Sequence, residues 1–142
     1  MKSTAILLAA TLAASPMLAL AASATTQTLA TQTTSSGQPI TAPAGPLQVT
    51  ASIVEIGPGG SLPVHKHPFP RYGYILAGRL QVTNLATGKT ITYRAGQFAI
   101  DPIGQWHSGR ALDGKAVRLL IIDQTPPGRS NTILKDPPPA SK

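Results

Sequence analysis

The stretch Gly59 to Gly78, reading GGSLPVHKHPFPRYGYILAG, decides the fold. His65 and His67 flank Lys66, so on an extended backbone their side chains share one face. Glycine permits positive φ, and proline sets a turn without needing a ladder donor. Both punctuate this segment. Tyr72 to Leu76, then Gly78, then Leu80 to Asn84 reads as two strands pivoting on a glycine.

The same grammar continues outward in both directions. Upstream, Leu47, Val49, Ala51 and Ile53 alternate with Gln48, Thr50 and Ser52, a strand period of two. The cluster Ile56-Gly57-Pro58-Gly59-Gly60 is a turn. Downstream, Ala86 to Lys89 closes a hairpin into Thr90 to Tyr93, and Ala95-Gly96 turns into Phe98 to Ile100. Val117 to Ile122 (VRLLII) is the most hydrophobic run and predicts an interior strand. No amphipathic helix of three turns stands out. Short strands spaced by Gly/Pro turns indicate an all-β sandwich or barrel, here a single domain.

The flanks read differently. Met1-Lys2, the apolar run Ala5 to Leu12 and small residues ending in Ala22-Ser23-Ala24 have the layout of a secretory signal peptide over residues 1–24. Ala19-Leu20-Ala21 offers the alternative cleavage site. Ser15, Pro16 and the alanine-rich continuation argue against a stable membrane anchor, although the run approaches spanning length. Residues 25–38 are rich in Thr, Ser and Gln and read as a flexible spacer. From Pro126 to Lys142 the chain is expected to be a proline-rich tail, which leaves residues 39–125 as the folded domain. The expected location is therefore outside the cytoplasm, periplasmic or secreted.

Among the 142 residues there is no cysteine, which excludes disulfides, thiolate metal sites, cysteine nucleophiles and a cysteine-linked lipid. The formal charge is +7, falling to +6 if Lys2 leaves with a leader. The basic residues lie singly, without the clustered stripe that nucleic acid requires, so no nucleic-acid partner is expected. A positive balance favours a small anionic ligand or an anionic membrane surface instead.

The chain has only three histidines, and the third, His107, follows His67 by 40 residues, enough to return on another strand. Three neutral imidazoles make a common metal-ligand set that leaves coordination positions open. The punctuation around them is specific. Gly59-x5-His65-Lys66-His67 followed by Gly78 resembles the first motif of the cupins, and Gly96-x5-Pro102-x-Gly104-x2-His107 resembles the second. The short form with His-x-His-Pro-x-Pro, His65 to Pro70, looks most like small single-domain periplasmic cupins of bacteria. That resemblance implies a jelly-roll β-barrel with one divalent transition metal (Fe, Mn, Ni, Zn or Cu) on His65, His67 and His107. It also favours a homodimer paired through its sheets.

Two positions depart from the family pattern. Arg71 stands where a glutamate ligand is usual, and Ala111 where an asparagine is frequent; the only glutamate, Glu55, precedes the first motif. Three neutral ligands leave the ion its full +2, which repels a nearby guanidinium. Arg71 is therefore expected either to swing out to solvent or to clamp an anion shared with the metal. Gly73 and Ile75 have its parity and are expected to line the cavity. Trp106 either roofs the pocket or packs. Gln97 and Gln105 are candidate hydrogen-bond donors to a histidine or ligand, Asp101 an imidazole orienter or a turn residue. Two functions compete: a metal-dependent, oxygenase-like enzyme acting on a small anionic molecule, and a non-catalytic metal-dependent binding module of the cell envelope.

Overall fold

The computed structural model describes Thr26 and residues 29–136. The leader expected over residues 1–24 lies outside them, as does Pro137-Pro138-Pro139. Among the described residues there are nine strands and no α-helix. They are β1 (Gln48–Ile56), β2 (His65–Lys66), β3 (Arg71–Ala77), β4 (Arg79–Asn84), β5 (Thr90–Arg94), β6 (Phe98–Ile100), β7 (His107–Ala111), β8 (Val117–Thr125) and β9 (Ile133–Leu134). Two antiparallel sheets face each other, one ordered β1-β8-β3-β6 and the other β5-β4-β7-β2-β9. This is an all-β, single-domain double-stranded β-helix.

β8 is the interior strand that its hydrophobicity predicts, flanked by β1 and β3. Its inward residues Val117, Leu119 and Ile121 join Ile56, Ile75, Leu80 and Ala111 in the core between the sheets. The chain crosses from one sheet to the other at Gly78, between β3 and β4. There φ is +80°, and a Cβ would collide with the carbonyl oxygen of Ala116, so only glycine fits.

β1 carries its alternation on the opposite face from a core strand. Val49 is 62% exposed and Ile53 49%, while Val54 packs against the core and Ile56 joins it. Register explains this: Val54 and Ile56 sit across from Leu119 and Val117, whereas Ile53 sits across from Leu120 on the outside.

Two expected boundaries are corrected. Part of the stretch read as a flexible spacer, residues 25–38, is docked. Thr34 is buried, Ser35 N–H donates to the Ile100 carbonyl at 2.9 Å, and Thr33 bridges Pro39. Gln38 holds Ile103 with two bonds, donating to its carbonyl (2.9 Å) and accepting from its N–H (3.0 Å). Polar side chains here dock by hydrogen bonding, which a search for apolar burial does not register. The tail read from Pro126 onward also returns to the barrel as far as residue 136. β9 adds to β2, Lys135 N–H donates to the Val64 carbonyl at 2.9 Å, and Asn131 is buried.

Candidate metal centre

β2 and β7 are neighbours, and their register sets His65 directly opposite His107. His67 lies just past β2 and bridges Ile103 in the loop before β7. All three imidazoles are buried, with ring centroids 4.5, 4.8 and 4.9 Å apart.

The partners of the rings decide which nitrogen is bare. Each Nδ1 meets a main-chain carbonyl: His65 at Pro63 (2.7 Å), His107 at Gln105 (2.9 Å) and His67 at Asn131 (2.5 Å). A carbonyl oxygen only accepts, so each Nδ1 carries the hydrogen and a neutral ring presents a lone pair at Nε2. The three ligand atoms lie within 4.8 Å of one another. His107 Nε2 is buried with no hydrogen-bond partner. His67 Nε2 faces the Asp101 carboxylate at 3.5 Å, acceptor against acceptor, and has only a long contact with Arg71 Nη1 at 3.4 Å. Buried acceptors turned towards one another are costly unless a cation lies among them. The donor set thus fits a divalent first-row ion, with main-chain carbonyls fixing each ring through its Nδ1.

Burial keeps the rings in ligand form. Burial pushes all three imidazoles below the ordinary histidine value, His67 furthest, to about 2, with the Arg71 guanidinium adding to the effect. Burial pushes the Asp101 carboxyl up to about 6, against the pull of Arg71.

A family model described as "Cupin domain" matches residues 52–123, half of the chain. The chain is a cupin. No curated protein matches it. Among solved structures it is similar to the cupin domain of Schizosaccharomyces pombe Cnp3 at 26% identity and TM-score 0.50, covering 55% of this chain and 56% of that one. It is similar to Lactobacillus farciminis oxalate decarboxylase in a formate complex at 27% identity and TM-score 0.53, covering 61% of this chain and 26% of that one. The polyketide cyclase RemF from Streptomyces resistomycificus shares the fold at 22% identity and TM-score 0.54, covering 64% of this chain and 63% of that one. In each case the cupin spans less than two thirds of the solved chain.

Arg71 of this cupin takes neither expected position cleanly. It does not swing out to solvent; it stays at the rim of the cavity with its charge engaged. Nε and Nη2 grip both oxygens of Asp123 at 2.7 Å, and Nη2 also donates to Thr132 Oγ1 at 3.2 Å. Nη1 is left turned towards the histidines. The bidentate pair answers the electrostatic problem of an arginine beside a metal position, because Asp123 neutralises it.

Of the other expected lining residues, Gly73 borders the cavity, with His65, Arg71, Asp101 and His107 at its polar end. Ile75 does not. It is wholly buried in the core one inward step deeper, beside Leu119 of the neighbouring strand β8. Trp106 is also outside the lining; it packs under Lys66, whose Nζ lies 4.6 Å from the ring centroid. Gln97 caps the β5–β6 turn by accepting from Arg94 N–H, and Glu55 pairs with Arg118 on β1 and β8. Gln105 serves His107 through its main chain, while its side chain accepts from Asn84. Asp101 orients no imidazole through Nδ1; it faces Nε2 instead.

Sequence reasoning passed over Asp123 and Asn131. Asn131 accepts from His67 with its carbonyl and from Phe69 N–H with its side chain, and donates to Asp123 at 2.6 Å. It lies 64 residues from His67 in a segment that looked like tail, so no local pattern marks it.

Proposed function

We propose that this cupin holds one divalent transition-metal ion on His65, His67 and His107 and acts on a small carboxylate bound between that ion and Arg71. The observation that carries the reading is the set of three Nδ1–carbonyl bonds, which leaves the three Nε2 lone pairs as the ligand atoms of one close cluster. A bound ion supplies Lewis acidity and, if redox-active, electron transfer. The chain's own residues do the rest. Asp123 and Thr132 fix the Arg71 fork, leaving Nη1 to orient an anion, and the aliphatic walls of the cavity exclude water. The similarity to an oxalate decarboxylase solved with formate supports a carboxylate ligand and decarboxylase-type chemistry.

Elemental analysis of the purified protein, with each histidine changed to alanine in turn, tests the centre. One metal per chain, lost in each variant, is expected; a stoichiometry that ignores His67→Ala would sink the assignment. Metal-dependent consumption of oxygen or alteration of a carboxylate separates the enzyme from a binding module, the second reading.

Two further parts of the proposal concern setting. The layout of residues 1–24 supports export, expected to yield a periplasmic or secreted product beginning after Ala21 or Ala24; intact mass of the recovered protein checks it. The outer face of the β1-β8-β3-β6 sheet exposes Val49 and Ile53 on β1, Leu76 on β3 and Phe98 on β6, which supports pairing of two copies through it. Sedimentation should give a dimer that Ile53→Lys converts to monomer.

A further inference from the structure

The strand residues directly beneath the polar end of the cavity are both glycines. On β3 the inward side chains run Arg71, Gly73, Ile75; on β7 they run His107, Gly109, Ala111. The two glycines border the same cavity from opposite sheets. Neither has positive φ, so the backbone does not demand glycine. Packing does not demand it either. A Cβ on Gly73 would meet Ile121 Cδ1 at 3.4 Å, and one on Gly109 would meet Leu80 Cδ1 at 3.3 Å, tight contacts with side-chain ends that are relieved by shifts of a few tenths of an ångström. A glycine inside a strand weakens it and frequently marks a place where a ligand comes close.

What these glycines leave is an apolar hollow. Its walls are Val54, Leu62, Leu80, Val82, Leu119 and Ile121, and its polar groups lie at one end only. The hollow measures about 60 Å³. A water needs roughly 10–15 Å³ on that scale, so the space suits about four to six non-hydrogen atoms. Water would find no partner against the aliphatic walls. Asp101 also borders the polar end, so an anion there depends on the cationic groups outweighing it.

We infer that the site takes a short-chain monocarboxylic acid, its carboxylate at Arg71 and the histidines and its aliphatic tail in the hollow whose depth Gly73 and Gly109 set. This rests on reading the histidines as an anion-binding metal centre. A dicarboxylate such as oxalate would place its second charge against the aliphatic walls, so it should bind less well than propionate.

Calorimetric titration of zinc-loaded protein with formate, acetate, propionate, butyrate, hexanoate and oxalate tests this. Affinity should tighten about three- to fourfold per methylene as far as propionate or butyrate and fall at hexanoate. Gly73→Ala and Gly109→Ala, on opposite sheets, should each move the optimum to a shorter acid. Affinity that is flat with tail length, or tightest for oxalate, overturns the hollow as a tail site. So does an optimum that neither variant moves. Zinc content measured on the same samples separates the two readings. Zinc bound one per chain with no tail dependence leaves the metal centre standing and removes the tail site. Tail dependence without zinc does the reverse.

Discussion

Asn131 holds more of the site together than any residue whose type suggests chemistry. Its side chain bonds Phe69, Asp123 and the Pro70 carbonyl, and its own carbonyl fixes the His67 ring. Asn131→Ala removes buried bonds at both ends of the His67–Arg71 segment. Its expected effects are about 2–3 kcal/mol of stability, read by denaturant unfolding, and a 10- to 100-fold loss of metal affinity, read by competitive titration. Arg71→Ala should weaken carboxylate binding at least tenfold while metal content holds or rises, since it removes a positive charge beside the ion. It also leaves Asp123 without its partner, at an expected cost of about 2 kcal/mol. Adding Asp123→Ala should restore part of that stability but none of the binding. A double-mutant cycle measures both, and a metal content that collapses with Arg71→Ala would make the arginine structural.

At the level of elements, the site depends on strands that switch sheets at fixed points. β3 delivers Arg71 and Gly73 from one sheet, β7 and β2 deliver the histidines from the other, and the Gly78 turn between β3 and β4 makes that exchange. Gly78→Ala is expected to lose about 2–3 kcal/mol, because it combines a left-handed backbone with a collision at Ala116. Unfolding midpoints compared with Gly88→Ala check the collision part, since Gly88 also has positive φ but open space around it. Equal losses at the two sites would mean that backbone strain alone is at work. Much of this level was legible beforehand. The turn glycines, the interior strand β8 and the β4–β5 hairpin follow from alternation and punctuation. The inward face of β1 did not, because both of its faces are partly apolar and only the register with β8 chooses between them.

For the whole molecule, the buried histidines make the stability of the metal-free protein depend on pH. Their folded values lie below the ordinary 6.5, so the unfolded chain binds protons that the folded one refuses. The stabilisation is complete above about pH 6.5 and is lost as pH falls towards the folded values, about 2 for His67. Asp101 works in the opposite sense: raised from 3.8 to about 6, it loses its contribution as pH rises through that window. Three groups act against one, so the denaturation midpoint of metal-free protein should fall between pH 6.5 and pH 4. A bound divalent ion adds to the fall, because protons compete for the same Nε2 atoms. A midpoint unchanged over that range would mean that the rings are not held neutral.

The residues alone pointed to an all-β chain with the cupin pattern and marked its three histidines as candidate metal ligands. Those properties reside in local periodicity, in turn chemistry and in the rarity of a residue type, all readable along one dimension. Only the tertiary structure decided that Arg71 is neutralised by Asp123, that Ile75 and Trp106 stand outside the cavity, and that residues 33–38 and 126–135 pack on the barrel. The docking of those two segments depends on hydrogen bonds between positions some 60 residues apart, where Gln38 and Asn131 sit in local sequence that resembles linker. A polar residue carries no periodic signal of burial, and its partner is chosen by the fold that brings the two together.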